Sequence, residues 1–256
     1  MRLAILGSGS GGNAVFLEAA GTRVLVDAGF SCRELEARLA ALGVDPAELD
    51  AVLLSHEHSD HARGVERFAR RFGCAVAATP STLDCLGLRP GGGLRVRPFE
   101  NGGSFRLGKW RVVGVPVPHD AADPAAFRME TPEGSVGYAL DLGHAPQAVC
   151  RLLAGCRAII VESNHDLTML EEGPYPRELK QRLRGPRGHL SNGEAAAFIS
   201  EVATRETRSL VLAHLSRTNN RADLAMLEAH RALGRLSSEI RMTVAEQGPG
   251  AHWIEA

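Results

Sequence analysis

The run Ser55-His56-Glu57-His58-Ser59-Asp60-His61 constrains this chain more than any other stretch of it. Three imidazoles and two carboxylates lie together, directly after the apolar Ala51–Leu54 and ahead of the helical pattern of Gly64–Phe72. Such a loop cannot be core, because its polar atoms would need more partners than a packed interior offers. A solvated polar loop is the plain alternative. The spacing argues against it. In His-x-His-x-Asp-His, alternate residues converge on one metal ion and the next two side chains on a second. Imidazole suits zinc, iron and manganese, and carboxylate suits harder ions.

The rest of the chain alternates short apolar runs with turns and helices. Strands are expected at Leu3–Leu6, Val15–Leu17, Val24–Val26, Ala51–Leu54 and Ala75–Ala78. Further strands are expected at Leu94–Val96, Ser104–Leu107, Trp110–Val115, Val136–Leu140, Ala158–Val161 and Leu210–Leu212, and near Ile240–Val244 and Trp253–Ile254. Helical periodicity marks Ser31–Leu42, which Gly43 closes, and Gly64–Phe72, Ser81–Leu86, Ala145–Leu153, Glu178–Leu183, Asn192–Val202 and Ala222–Ala232. Pro124–Pro132 is expected to be an exposed loop. Strands that first meander and then alternate with helices predict an α/β architecture of sheets with helices packed outside.

Gly7-Ser8-Gly9-Ser10-Gly11-Gly12 fits a dinucleotide-binding pattern, and Asp27 follows at a suitable distance for a ribose contact. That reading needs a helix immediately after the glycines. Asn13–Glu18 leaves room for a strand only, so the loop reads as a turn between two strands. Its backbone amides, with Ser8, Ser10 and Asn13, remain able to meet an anion.

Several classes fall away on composition. The chain has 256 residues, 44% of them hydrophobic, with 29 basic against 30 acidic side chains. It can bury a core, and it cannot coat nucleic acid or an acidic membrane by bulk charge. A local basic groove is still open to it. Five cysteines without a CxxC pair are expected as reduced thiols in or near the core. The N-terminus reaches glycine after four apolar residues, and no apolar stretch approaches the roughly 20 residues of a membrane span. A cytoplasmic location without membrane partners is expected.

His56-x-His58-x-Asp60-His61 after a strand resembles the signature of the metallo-β-lactamase superfamily. Asp27 resembles the acid that supports this histidine loop by hydrogen bonding. His119, Asp141 and His214, each at a strand end and in the family's order, resemble its later metal ligands. The resemblance implies a single domain over residues 1–256 with a four-layer αβ/βα sandwich, its metals at the edge where strand ends converge. It implies two divalent ions, zinc or manganese. One would be held by His56, His58 and His119 and the other by Asp60, His61 and His214. Asp141 and a water or hydroxide would lie between them. His144, soon after the Asp141 strand, is a further candidate for lining the site.

The second half of the chain narrows the group. Glu162-Ser163-Asn164-His165-Asp166, Gly188-His189-Leu190-Ser191-Asn192 and Ala213-His214-Leu215-Ser216-Arg217, with the opening glycine loop and Pro118-His119-Asp120-Ala121, resemble the YycJ/WalJ group of metallo-β-lactamase-fold exonucleases. That resemblance implies a 5′→3′ DNA exonuclease with a role in DNA repair, in which metal-bound hydroxide attacks phosphorus and Asp60 orients it. A leaving alkoxide needs a proton, which a histidine held by a carboxylate supplies near neutral pH. His189 is the candidate general acid and Glu162 its partner. An N-cap role beside Ser191 is the alternative for His189. Between Gly173 and Leu190 five cations face the single acid Glu178, a net of +4, and Arg63, Arg67, Arg70 and Arg71 form a second basic group. Arginine suits phosphate contact, although most charge runs are solvated helix faces. Fold alone does not select the substrate. A small-molecule hydrolase (thioesterase or cyclic phosphodiesterase), a tRNase Z-like RNA nuclease and a non-catalytic metal-dependent regulator remain alternatives.

Overall fold

The computed structural model describes residues 1–245, 247–248 and 251–254. The first half of the chain forms β1 (Arg2–Gly7), β2 (Ala14–Ala19), β3 (Thr22–Val26), β4 (Ala51–Leu53), β5 (Ala75–Ala78) and β6 (Arg95–Pro98). The second half forms β7 (Ser104–Leu107), β8 (Trp110–Pro116), β9 (Ala125–Thr131), β10 (Gly134–Ala139), β11 (Ala158–Glu162), β12 (Ser209–Ala213) and β13 (Arg241–Val244). A last strand, β14 (His252–Ile254), returns to pair antiparallel with β1. One sheet therefore runs β14-β1-β2-β3-β4-β5-β6 and the other β13-β12-β11-β10-β9-β8-β7. Within them β3 to β6 and β10 to β13 are parallel.

Alternation along each strand decides the layers. On β1, Leu3 and Ile5 point between the sheets, where they join Phe127, Val136 and Tyr138 of the second sheet. Ala4 and Leu6 point the other way, onto α1 (Cys32–Ala41) and α3 (Val65–Phe72) through Leu35, Leu39 and Phe68. Short helices α2 (Ser59–Ala62) and α4 (Pro80–Cys85) lie in the same half of the chain. The outer face of the second sheet, with Ile159, Val161, Leu210 and Leu212, is covered by α5 (Gln147–Leu153), α8 (Asn192–Val202) and α9 (Ala222–Leu233). Between α5 and α8 lie α6 (Leu167–Glu172) and α7 (Arg177–Leu183). Helix, sheet, sheet and helix give the four-layer αβ/βα sandwich expected from the sequence. Capping boxes start α1 at Ser31 and α8 at Ser191, each closed by a glutamate three residues on.

The reading of Pro124–Pro132 as an exposed loop is wrong. Residues 125–131 are β9, an interior strand between β8 and β10, and Ala125, Ala126, Phe127 and Met129 are buried. Both prolines lie just outside the strand, where a missing N–H breaks no ladder hydrogen bond. The expected helix cores and strands otherwise lie within a few residues of the observed ones. The short α2 and α6 were not foreseen.

Cys32, Cys74, Cys150 and Cys156 are buried free thiols, and Cys85 is free and exposed. Among the described residues no helix is long and apolar enough to cross a membrane.

Candidate metal centre

Six strands bring side chains to one edge of the sandwich. Asp27 follows β3, Ser55–His61 follows β4, His119 follows β8, Asp141 follows β10, Glu162 ends β11 and His214 follows β12. Three of these strand ends are strained. Asp27, Asp141 and His214 have φ of 62°, 57° and 56°, a left-handed conformation costing a non-glycine residue roughly 1–2 kcal/mol. Non-glycine residues hold this geometry where the surroundings over-determine it, and all three belong to one cluster.

The cluster contains the expected donors in the expected groups. Ligand atoms of His56, His58 and His119 lie within 4.8 Å of one another, as do those of Asp60, His61 and His214. Asp141 touches both sets: its Oδ2 is 3.2 Å from His56 Nε2 and 2.7 Å from His61 Nε2. Asp60 Oδ2 is 3.3 Å from His214 Nε2 and 3.7 Å from His61 Nε2. Donors bound about 2.1 Å from one ion lie at most about 4.2 Å apart, so the Asp60 and Asp141 spacings of 2.7–3.7 Å fit shared ions. Two buried atoms of the cluster, His56 Nε2 and Asp141 Oδ1, make no well-directed hydrogen bond, their nearest polar neighbours lying 3.2 Å and 3.3 Å away. Leaving such groups unmatched costs about 1–3 kcal/mol each, and a cation between them removes that cost. The donor set therefore fits divalent metal.

Three of the imidazoles are turned by their other nitrogen. His61 Nδ1 is 2.7 Å from Asp27 Oδ2, His119 Nδ1 is 3.2 Å from the Gly188 carbonyl, and His56 Nδ1 is 3.0 Å from Ser55 Oγ. These contacts leave Nε2 facing the cluster. Asp27 is fully buried and also accepts from Ser55 N at 2.8 Å, Ser55 Oγ at 2.8 Å and Tyr138 OH at 2.6 Å. The support expected of Asp27 is present. Tyr138 was missed, because a tyrosine inside an apolar strand reads as ordinary core.

The glycine loop links antiparallel β1 and β2, so the dinucleotide pattern is coincidental. It braces the cluster from below. Asn13 N donates to Asp60 O at 2.7 Å, and Asn13 Nδ2 lies 2.9 Å from His61 Nε2. Ser8 Oγ accepts from His214 N at 2.8 Å. Gly29 permits this approach: a Cβ there would lie 1.7 Å from the Asp60 carbonyl oxygen.

Glu162 and His189 meet beside the donors. His189 Nδ1 donates to Glu162 Oε1 at 2.6 Å, and Glu162 Oε2 accepts from Leu142 N at 3.0 Å and Leu190 N at 3.2 Å. Glu162 is fully buried, whereas the His189 side chain keeps 16% of its surface exposed. The His189 ring stacks on His214, with centroids 5.2 Å apart. Asp141, Glu162, His189 and His214 also form a close group. Ser191, not His189, caps α8. His144 lies outside the groups; it is exposed, with Nδ1 3.2 Å from the Pro186 carbonyl.

Charge inside the cluster is balanced between carboxylates and imidazoles. Burial works to raise the Asp141 carboxyl, but His214 and His61 hold it well below the usual range. Burial likewise opposes ionisation of Glu162 and Asp60. His189 brings Glu162 down to about 2, and His214 with His61 brings Asp60 down to about 2. Burial pushes the other way on imidazolium, yet Asp141 and Asp27 hold His61 well above the ordinary value. Asp141, Asp60 and Glu162 raise His214 to about 9. Burial and nearby His61 lower His56 to about 4. Carboxylates that hold protons on neighbouring imidazoles can hold metal cations in their place.

A family model described as beta-lactamase superfamily domain matches residues 22–215. The exodeoxyribonuclease WalJ of Streptococcus pneumoniae serotype 2 (strain D39) is 33% identical over 228 residues, covering 88% of this chain and 85% of that protein. The exodeoxyribonuclease YycJ of Bacillus anthracis is 31% identical over 235 residues, covering 91% and 89%. The metallo-β-lactamase-fold protein YhfI of Bacillus subtilis superposes with a TM-score of 0.74 at 17% identity, covering 99% of this chain and 98% of that one. The chain belongs to the metallo-β-lactamase superfamily and, within it, is a WalJ/YycJ-like protein.

Proposed function

We propose that this protein is a dinuclear metal-dependent phosphodiesterase acting on nucleic acid, a 5′→3′ exonuclease on DNA. The observation that carries the reading is the Glu162–His189 pair, 2.6 Å apart beside two donor groups, in a chain 31–33% identical to proteins named exodeoxyribonucleases. His56, His58 and His119 would hold one ion, Asp60, His61 and His214 a second, and Asp141 would lie between them. Zinc or manganese suits this mixed set. Divalent cations held by these residues would supply an activated water and offset charge on the reacting phosphate. Asp60 orients the attacking water. His189 protonates the leaving alkoxide from Nε2, because Nδ1 is held by Glu162. Five-prime resection of a duplex end exposes a strand for resynthesis, which suits a repair role.

The basic segment that precedes His189 suits a polyanion better than a small apolar substrate, although Arg184 is paired with Glu171 and none of the donor residues lines the cavity beside it. A cavity of about 550 Å³ is lined by Arg177, Lys180, Gln181, Arg184 and Glu171. Three of its cations come from α7 and the residue after it, and α7 buries none of its residues. The same chain segment leads to His189.

Metal content, together with cleavage products on 5′- and 3′-labelled DNA duplexes, tests the reading. Mononucleotides released from the 5′ end are expected, and Asp60→Ala should abolish turnover with the fold retained. Metal-loaded protein that leaves every DNA and RNA substrate intact overturns it.

A further inference from the structure

Asp120 follows His119 directly, and its carboxylate is shared between two neighbours. Oδ2 takes both Nε of Arg182 at 2.8 Å and a terminal guanidinium nitrogen at 2.6 Å. Oδ1 lies 3.3 Å from His119 Nε2 and 3.9 Å from His58 Nε2. These rings belong to the His56, His58 and His119 group. Adjacent donors about 2.1 Å from one ion stand about 3.0–3.4 Å apart, and opposite donors about 4.2 Å. Both Asp120 distances fall in that span, while Asp120 stands outside the 4.8 Å group of His56, His58 and His119 and would complete it on the His58–His119 side.

The loop carrying Asp120 is fastened from two sides. Glu57, inside the histidine run, accepts from Ala122 N at 2.7 Å through Oε1. From the other side Arg187 Nε donates to the His119 carbonyl at 3.0 Å, while the Gly188 carbonyl holds His119 Nδ1. Residues 182–188 thus orient His119 and Asp120 together. A carboxylate pinned by one oxygen, with its other oxygen turned to two ligand imidazoles, has the arrangement of a metal ligand with a hydrogen-bonded outer partner.

We propose that Asp120 is an additional carboxylate ligand of the ion held by His56, His58 and His119, positioned by Arg182. The assignment rests on the divalent metal centre proposed above and makes its three-histidine side richer in oxygen. Carboxylate donors favour manganese over what imidazole alone would select, so Asp120 tunes metal preference as well as affinity.

The test uses the full chain, freed of metal by chelation and titrated with Co2+, Mn2+ and Zn2+ against a chelating dye. Asp120→Ala and Asp120→Asn are each expected to weaken one of two ions by about 10–100-fold, with the larger loss for Mn2+. The visible absorption of the Co2+ form should intensify as that ion loses a ligand, and Asp120→Glu should restore much of the affinity. Unchanged affinity in both variants overturns the proposal. So does a fall in affinity with an unchanged Co2+ spectrum, which marks a charge acting from outside the coordination sphere. Matching circular dichroism and melting of the metal-free variants excludes misfolding. If the wild-type chain takes up no divalent ion, the metal centre itself is wrong and Asp120 loses its role with it. That outcome is distinct from a wild type that binds metal while its variants bind it equally.

Discussion

His189 suits proton transfer because one ring nitrogen is committed. Glu162 holds Nδ1, and burial opposes the charged ring, yet Glu162 and Asp141 keep it well above the ordinary histidine value. His189→Gln is expected to lower kcat by about 10²–10⁴-fold, measured on a labelled duplex at fixed pH. A general acid works while protonated, so activity should fall as pH rises through its pKa. Glu162→Gln removes the carboxylate that raises that pKa, so the alkaline limb of the pH–rate profile should move to lower pH. An unmoved limb would assign Glu162 to the metal or to structure. Tyr138→Phe tests the support behind the site. Its hydroxyl donates to the buried Asp27 carboxylate, so urea denaturation should show a loss of about 1.5–3 kcal/mol.

At the scale of elements, β9 separates sequence from structure. Phe127→Ala at its centre should cost about 3–5 kcal/mol by urea denaturation, because the ring is buried between the two sheets. A substitution in an exposed loop would stay within about 0.5 kcal/mol. β9 is hidden in the sequence because prolines flank it, although Phe127 and Met129 alternate with Arg128 and Glu130. α6 escapes sequence reading because six residues, fewer than two turns of helix, are too few for a period to show. Longer elements with one buried stripe, such as α1 and α8, are legible, α8 with its serine cap, whereas Ser31 reads as helix and is the cap of α1.

Across the whole molecule, stability and metal binding are linked through protons. His214 sits at about 9 in the folded, metal-free chain against an ordinary 6.5, and His61 and His189 are raised as well. A raised imidazole stabilises the fold fully below about 6.5 and loses that contribution as pH climbs through its folded pKa. Asp60 and Glu162, lowered to about 2, contribute above their ordinary values near 4 and fail only as pH falls toward 2. His56, lowered to about 4, adds stability as pH rises from about 4 to 6.5, so chelator-treated protein should melt highest near pH 6.5, and its Tm should fall between pH 6.5 and 9. Saturating metal displaces those protons, so the alkaline fall should vanish in calorimetry and metal uptake at neutral pH should release protons.

Sequence alone determined the fold class and singled out the candidate donor residues. A run such as His56–His61 has few uses besides holding metal, and period-two and helical patterns follow from burying one face of each element. The partners of those donors were decided only by tertiary structure. Tyr138 on Asp27, Asn13 beside His61, and Arg182 on Asp120 join residues 111, 48 and 62 positions apart. No local pattern encodes such pairs, because they exist only once two sheets stack and their strand ends meet at one edge.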